Sequence, residues 1–102
     1  MREFLRGAIR LHVLHHAVDG ELNGAWMADE LARHGYKISP GTLYPTLHRM
    51  EEEGLLESRK DVRAGRAIRL YRATDLGRTA LAEERGVLAE LAHEILGDHG
   101  SS

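Results

Sequence analysis

The chain has 102 residues, 42% hydrophobic and 29% charged, with seven histidines, two prolines, no cysteine and a formal charge of −2. That length supports one hydrophobic core and not two, and the composition excludes a disordered or collagen-like polymer. The lack of cysteine excludes a disulfide framework, a thiolate metal site and a cysteine nucleophile, while Arg10 and His12 interrupt any signal or membrane-spanning run, so a cytoplasmic protein with no membrane partner is expected.

Apolar residues from Glu3 to Val18 recur on two adjacent stripes, Leu5/Ile9/Val13/Ala17 and Phe4/Ala8/Leu11/Leu14/Val18, which predicts a helix over 3–18. So wide an apolar face serves more than one domain core, and part of it is expected to meet a second subunit. Asp19 and Gly20 end the helix, with Gly20 expected in the left-handed cap. Asn23 caps a second helix over Gly24–His34, which Gly35 closes; Met27 and Leu31 point inward, and Trp26 beside them reads as a core anchor or, second, as the wall of a pocket. Ser39 and Pro40 open a third helix with Leu43, Leu47 and Met50 inward. Pro45 breaks a backbone bond inside that helix unless Thr42 is the true cap.

After Gly54 the period changes to two. Leu55–Arg59 and Ile68–Ala73 read as strands joined by a polar loop, Lys60 to Ala67. The charge is concentrated here: residues 59–74 carry six Lys/Arg against one acid, residues 1–58 six against nine, and residues 75–102 two against six. Such an island is either a solvated basic hairpin or the footprint of a polyanion. Thr74 caps a last helix, where Gly77 leaves the capping box incomplete. Its Leu81, Leu88 and Ile95 repeat at heptad spacing with Leu91 alongside, and a partner helix is the economical cover for them. The candidate dimer interface is therefore Phe4, Leu5 and Leu11 with Leu81, Leu88, Leu91 and Ile95.

The order of helix, helix, helix, basic hairpin and helix is that of a winged helix-turn-helix: mainly α with a small β-hairpin, followed by a C-terminal dimerisation helix. The division is a DNA-binding domain over 1–74, a dimerisation helix over 75–97 and a tail over 98–102. The third helix offers hydroxyls, an imidazole and a guanidinium from Thr42, Tyr44, Thr46, His48 and Arg49, and the wing offers Arg63, Arg66 and Arg69. Hydroxyls and cations suit phosphates, and arginine can read guanine. Tyr44 has two roles open, a hydroxyl on phosphate or a ring packed against the second helix. Glu51–Glu53 have to point away from DNA.

The run Ser39-Pro40-Gly41-Thr42-Leu43-Tyr44-Pro45-Thr46-Leu47-His48-Arg49-Met50-Glu51-Glu52-Glu53-Gly54-Leu55 resembles the signature of the PadR family of bacterial transcriptional regulators. Gly65-Arg66 and Leu70-Tyr71-Arg72-Ala73-Thr74-Asp75-Leu76-Gly77 extend the resemblance to most of residues 5–85, and the single final helix is similar to the smaller subfamily. The resemblance implies a homodimeric repressor that places its third helix and wing on a palindromic double-stranded DNA operator, with Ser39 among the contacts, and that a small-molecule effector releases. Ala67 replaces the family's usual wing proline, so a loose tip is expected. Residues 75–102 hold no aromatic, so a drug pocket between tryptophans, known in some small members, is not expected.

His12 and His16, four residues apart, have the spacing of a shared metal site, with His93 as a third candidate from a partner's last helix. The simpler readings are an amphipathic interface without cofactor or metal, or one that responds to pH. A winged helix turned protein-interaction module is a further alternative. No phosphate-cradling glycine loop, nucleophile elbow or His-Glu-x-x-His motif points to an enzyme.

Overall fold

Residues 2–97 are described by the computed structural model; the expected tail over 98–102 lies outside them. The elements follow the order read from the sequence: α1 (Arg2–Asp19), α2 (Gly24–Arg33), α3 (Pro40–Glu52), β1 (Leu56–Arg63), β2 (Arg66–Ala73) and α4 (Asp75–Ile95). The core gathers one stripe from each: Val13 and Leu14 of α1, Met27 and Leu31 of α2, Leu43, Leu47 and Met50 of α3, with Leu56, Tyr71 and Leu81 closing it. These spacings are the helical three and four, so each helix buries one face and leaves the other to solvent.

Both helix ends that precede a sharp change of direction are built alike. Gly35 and Gly54 take positive φ, and the next residue donates its N–H five residues back, Tyr36 to Leu31 O and Leu55 to Met50 O, each at 2.9 Å. Gly20 does not take the left-handed conformation expected of it; it only extends the last turn of α1, its N–H reaching His16 O at 3.2 Å. Ser39 is the cap of α3, accepting from Thr42 N at 3.2 Å, with Pro40 in the first turn. Thr42 is thus not the cap, and Pro45 stands inside the helix, where it cannot donate to Gly41 O. The fully buried Leu43 and Leu47 hold that turn in place on either side of the missing bond.

The hairpin is longer and tighter than its polarity predicts. Pairing runs unbroken from Leu56↔Ala73 to Arg63↔Arg66, so the loop expected over Lys60–Ala67 is mostly strand. Only Ala64 and Gly65 turn, both at positive φ (51° and 75°), the conformation that matches the twist of a two-residue hairpin. Ala67 pairs with Val62, and the loose tip expected from the missing proline is absent. Polarity misled because this hairpin is solvated on both sides near its tip, so no apolar alternation marks the strand ends. Leu22 adds one residue of a third strand, exchanging N–H···O bonds with Tyr71 at 2.9 and 2.8 Å.

Trp26 is 46% exposed and is not the core anchor; Met27 takes that place and Trp26, about 100° further round the helix, lies outside. The start of α4 fits equally closely elsewhere. Thr74 donates its N–H to Leu55 O at 3.1 Å and its hydroxyl to Gly54 O, and that hydroxyl accepts from Gly77 N at 3.0 Å. A Cβ on Gly77 would overlap the Leu55 carbonyl oxygen, which explains why glycine stands where a capping box would carry glutamate. Gly77→Ala should therefore cost about 2 kcal/mol, because backbone has to move to admit the methyl group. A urea unfolding midpoint equal to that of the unsubstituted chain would contradict this packing.

Candidate nucleic-acid interface

The inward stripe of α3 turns its remaining side chains outward, and the structure brings most of the candidates to one surface. Thr42, Tyr44, His48 and Arg49 are exposed and Thr46 half-buried on the flank. Ser39 is exposed too, but its hydroxyl is engaged with Thr42, Oγ to Oγ1 3.0 Å. The Tyr44 ring lies against Gly24 at the start of α2, where a Cβ would collide with it. Its ring thus packs as the second reading had it, and 41% exposure leaves an edge in solvent. Of the three glutamates expected to point away from DNA, Glu51 accepts from Ser58 Oγ at 2.7 Å and Glu53 pairs with Arg10 of α1, while Glu52 is exposed.

The basic island is largely compensated. Arg59 is held by Glu21 through two bonds of 2.7 and 2.8 Å, Arg72 by Glu57 at 2.7 Å, and Arg63 by Asp61 at 3.4 Å. The Glu21 carboxyl lies below its ordinary pKa because of the hydrogen bond from Arg59. Arg69 is half-buried and gives NH1 to Ser58 Oγ at 3.0 Å. Among the described residues Arg49, Lys60 and Arg66 form no side-chain hydrogen bond or ion pair. Sequence reasoning passed over Lys60, which the register places on the same face as Arg69. What separated it from its neighbours was the lack of an acid opposite, visible only in three dimensions.

A second surface lies between α1 and α4. Phe4, Ala8 and Leu11 face Leu81, Leu88 and Leu91 across an open apolar groove of about 680 Å3. Phe4 is 65% and Leu88 48% exposed, and Leu81 is the one buried apolar side chain of α4, so the outer turns of that helix cover no core of their own. Leu5 and Ile95 are exposed on the same helices.

A family model for the transcriptional regulator PadR-like family matches residues 13–83. The chain belongs to that family. This PadR-like protein is 64% identical over 97 residues to the transcriptional regulator Rv3488 of Mycobacterium tuberculosis, across 95% of this chain and 91% of the relative. It is similar to the crystal structure of a PadR family transcriptional regulator from Eggerthella lenta, with TM-score 0.80 and 32% identity over 91% of this chain and 82% of that one. The structure of Bacillus subtilis PadR in complex with operator DNA shares the fold at TM-score 0.67 and 20% identity, over 74% of this chain and 45% of that chain. The PadR-like family is one of transcriptional regulators, which sets the enzyme alternative aside.

The histidines of this PadR-like protein join α1 to α2. Glu30, 8% exposed, takes His16 Nε2 at 3.4 Å and His34 Nε2 at 3.2 Å on one oxygen and Arg33 at 2.8 Å on the other. His12 stacks between His34 and Tyr36, both ring centroids at 5.0 Å, and Trp26 covers His16 edge-on at 5.2 Å. His12 and His16 thus turn toward α2 of their own chain, and it is His15 that reaches α4, taking Arg85 NH2 at 3.1 Å. His93 is exposed near the end of α4. Among the described residues no three His, Asp or Glu side chains are arranged to hold a metal ion. The Nε2 atoms of His16 and His34 both lie beside one oxygen of Glu30.

Burial pushes His12 below its ordinary pKa, helped by His34, His16 and His15; burial lowers His16 as well, outweighing the attraction of Glu30. Burial alone would raise Glu30, but the His34 hydrogen bond and the charges of Arg33 and His16 bring it below its ordinary value. Each group binds protons more readily when unfolded, so each stabilises the fold at high pH. The histidine contribution is complete above about pH 6.5 and is lost as pH falls below it; that of Glu30 is lost below about pH 4.5. Thermal midpoints measured at fixed chain concentration should fall between pH 7.5 and 5.5, and less steeply in His16→Gln. A flat profile in that window would contradict the burial of these rings.

Proposed function

We propose that the protein is a homodimeric repressor of transcription in the cytoplasm that binds a palindromic DNA operator and is released by a small-molecule effector. The observation that carries the reading is that Thr42, Tyr44, His48 and Arg49 are exposed on the third helix of a winged-helix fold whose hairpin bears the uncompensated cations Lys60 and Arg66. In a winged helix the third helix enters the major groove and the hairpin lies on adjacent backbone. Arg49 is the group suited to a base edge, Thr46 and the Tyr44 hydroxyl to phosphate, and Lys60 and Arg66 to phosphate through counterion release. Arg63 is a weaker phosphate contact than its charge implies, since Asp61 already faces it. That Bacillus subtilis PadR, which shares the fold, forms a complex with operator DNA supports the DNA-binding reading.

Residues 1–74 form the DNA-binding unit in this reading, and α1 and α4 form the dimer. The exposed Phe4, Leu88, Leu91 and Ile95 beside the apolar groove support a partner helix there. His15 and Arg85 also line the groove, so an effector with an apolar body and a polar group could be held where the partner helix leaves room. Leu88→Glu should convert the dimer to monomer in analytical ultracentrifugation; an unchanged sedimentation coefficient removes α4 from the interface.

Binding to the upstream promoter DNA across a salt series, with a scrambled duplex as control, tests the first part. Arg66→Ala should weaken binding to both duplexes and reduce the salt slope by about 1, whereas Arg72→Ala, already neutralised by Glu57, should leave the slope alone. Arg49→Ala should reduce the preference for the promoter. Equal slopes for Arg66→Ala and the unsubstituted protein would take the hairpin tip off the DNA, and no binding at low salt would favour a protein-interaction module.

A further inference from the structure

The hairpin and α3 are covalently joined by only Glu53, Gly54 and Leu55, yet a side chain links them again further out. Ser58 Oγ donates to Glu51 Oε2 of α3 at 2.7 Å and accepts from Arg69 NH1 of β2 at 3.0 Å. The register makes this geometry possible: Ser58 faces Tyr71 and Lys60 faces Arg69, so Ser58 and Arg69 sit diagonally on one face, the face turned toward α3 by the buried Leu56 and Tyr71. Glu51, Ser58 and Arg69 are each half-buried, and both bonds have a charged end, which strengthens them relative to neutral side-chain bonds. No ion pair joins Glu51 to Arg69 among the described residues, so the hydroxyl is the bridge between them and not an accessory to a salt bridge.

We infer that Ser58 is a positioning residue that fixes the angle between the hairpin and the recognition helix through the chain Arg69–Ser58–Glu51. The inference rests on the DNA-binding reading above for its consequence, and on geometry alone for its existence. Eight-residue strands extend about 25 Å from the root, so a small rotation at Leu55–Leu56 becomes a large displacement at the tip. Ser58 supplies a second point of attachment on the α3 side, as the Arg59–Glu21 pair does on the opposite side. Two surfaces that must meet one rigid duplex together require such a fixed angle, because misplacement by about 1 Å is already costly. Arg69 then acts through Ser58 on the position of the wing and does not itself reach phosphate.

The chain lacks cysteine, so paired spin labels can be introduced at Val62→Cys and Glu52→Cys without competing thiols. Diluted with unlabelled chain, the labelled protein should give one narrow distance distribution, which Ser58→Ala broadens and Ser58→Thr, keeping the hydroxyl, restores. An unchanged distribution in Ser58→Ala overturns the proposal whatever the protein does with DNA. On promoter DNA Ser58→Ala should bind about tenfold more weakly, the size of one charge-assisted hydrogen bond, with the salt slope and the affinity for the scrambled duplex unchanged. Arg69→Met should behave in the same way; a slope reduced by about 1 would make Arg69 a phosphate contact and overturn its positioning role. A protein that broadens as expected but never prefers the promoter retains the Ser58 link and loses the DNA-binding reading instead.

Discussion

Four elements meet at the carbonyl groups of Gly54 and Leu55, and the arrangement of the rest depends on that junction. α3 ends there, β1 begins there, and Thr74, between β2 and α4, returns to bond both carbonyls. Gly77 lets the backbone of α4 lie directly on Leu55, with Leu14 of α1 also in contact. α3, the root of the wing and the start of α4 are thus referred to one point. One of the two Thr74 bonds is backbone to backbone, Thr74 N to Leu55 O, and the other depends on a single side chain, the Thr74 hydroxyl. Arg10 with Glu53 adds a bond from α1 to the same corner.

The electrostatics follow from pairing and not from totals. Six cations in sixteen residues look like a broad positive field, yet Glu21, Glu57 and Asp61 each hold an arginine and Ser58 occupies another. Exposed pairs of this kind contribute little to stability. Their effect is to narrow where a polyanion finds uncompensated charge, concentrating it at Lys60 and Arg66 on the hairpin and Arg49 on α3. Glu30 is engaged in a similar manner, one buried carboxylate with Arg33, His34 and His16 within 3.4 Å.

The fold was legible in the sequence where a residue has a single physical use. Asn23, Ser39 and Thr74 each cap the helix that their positions announced, Gly35 closes α2, and Met27, Leu43 and Leu47 are fully buried as their spacing required. Errors arose where two uses compete. Trp26 is apolar enough for a core but lies one residue away from the inward stripe, and periodicity should have outweighed size. Lys60–Ala67 is polar enough for a loop but is paired backbone, because a hairpin with two wet faces carries no alternation. The candidate site was legible as a set of residue types on α3 and the wing. Which arginines are spoken for was not, since Glu21 lies 38 residues from Arg59 in sequence. His12 and His16 had the right spacing for a shared ligand, but spacing along α1 does not reveal that Glu30 of α2 meets His16 while the His34 and Tyr36 rings meet His12.

The tip of the hairpin contrasts with its root. At Gly54 and Leu55 the chain is bonded from three sides, whereas the turn places Ala64, a residue with a Cβ, in the left-handed region beside Gly65. The wing is consequently fixed at its root by bonds to Thr74 and closed at its end by a two-residue turn that glycine would adopt at less cost. Glycine in place of Ala64 would take the same turn without the steric cost of a Cβ, so the alanine holds its left-handed conformation at a local expense that the adjoining Arg63–Arg66 pairing sustains.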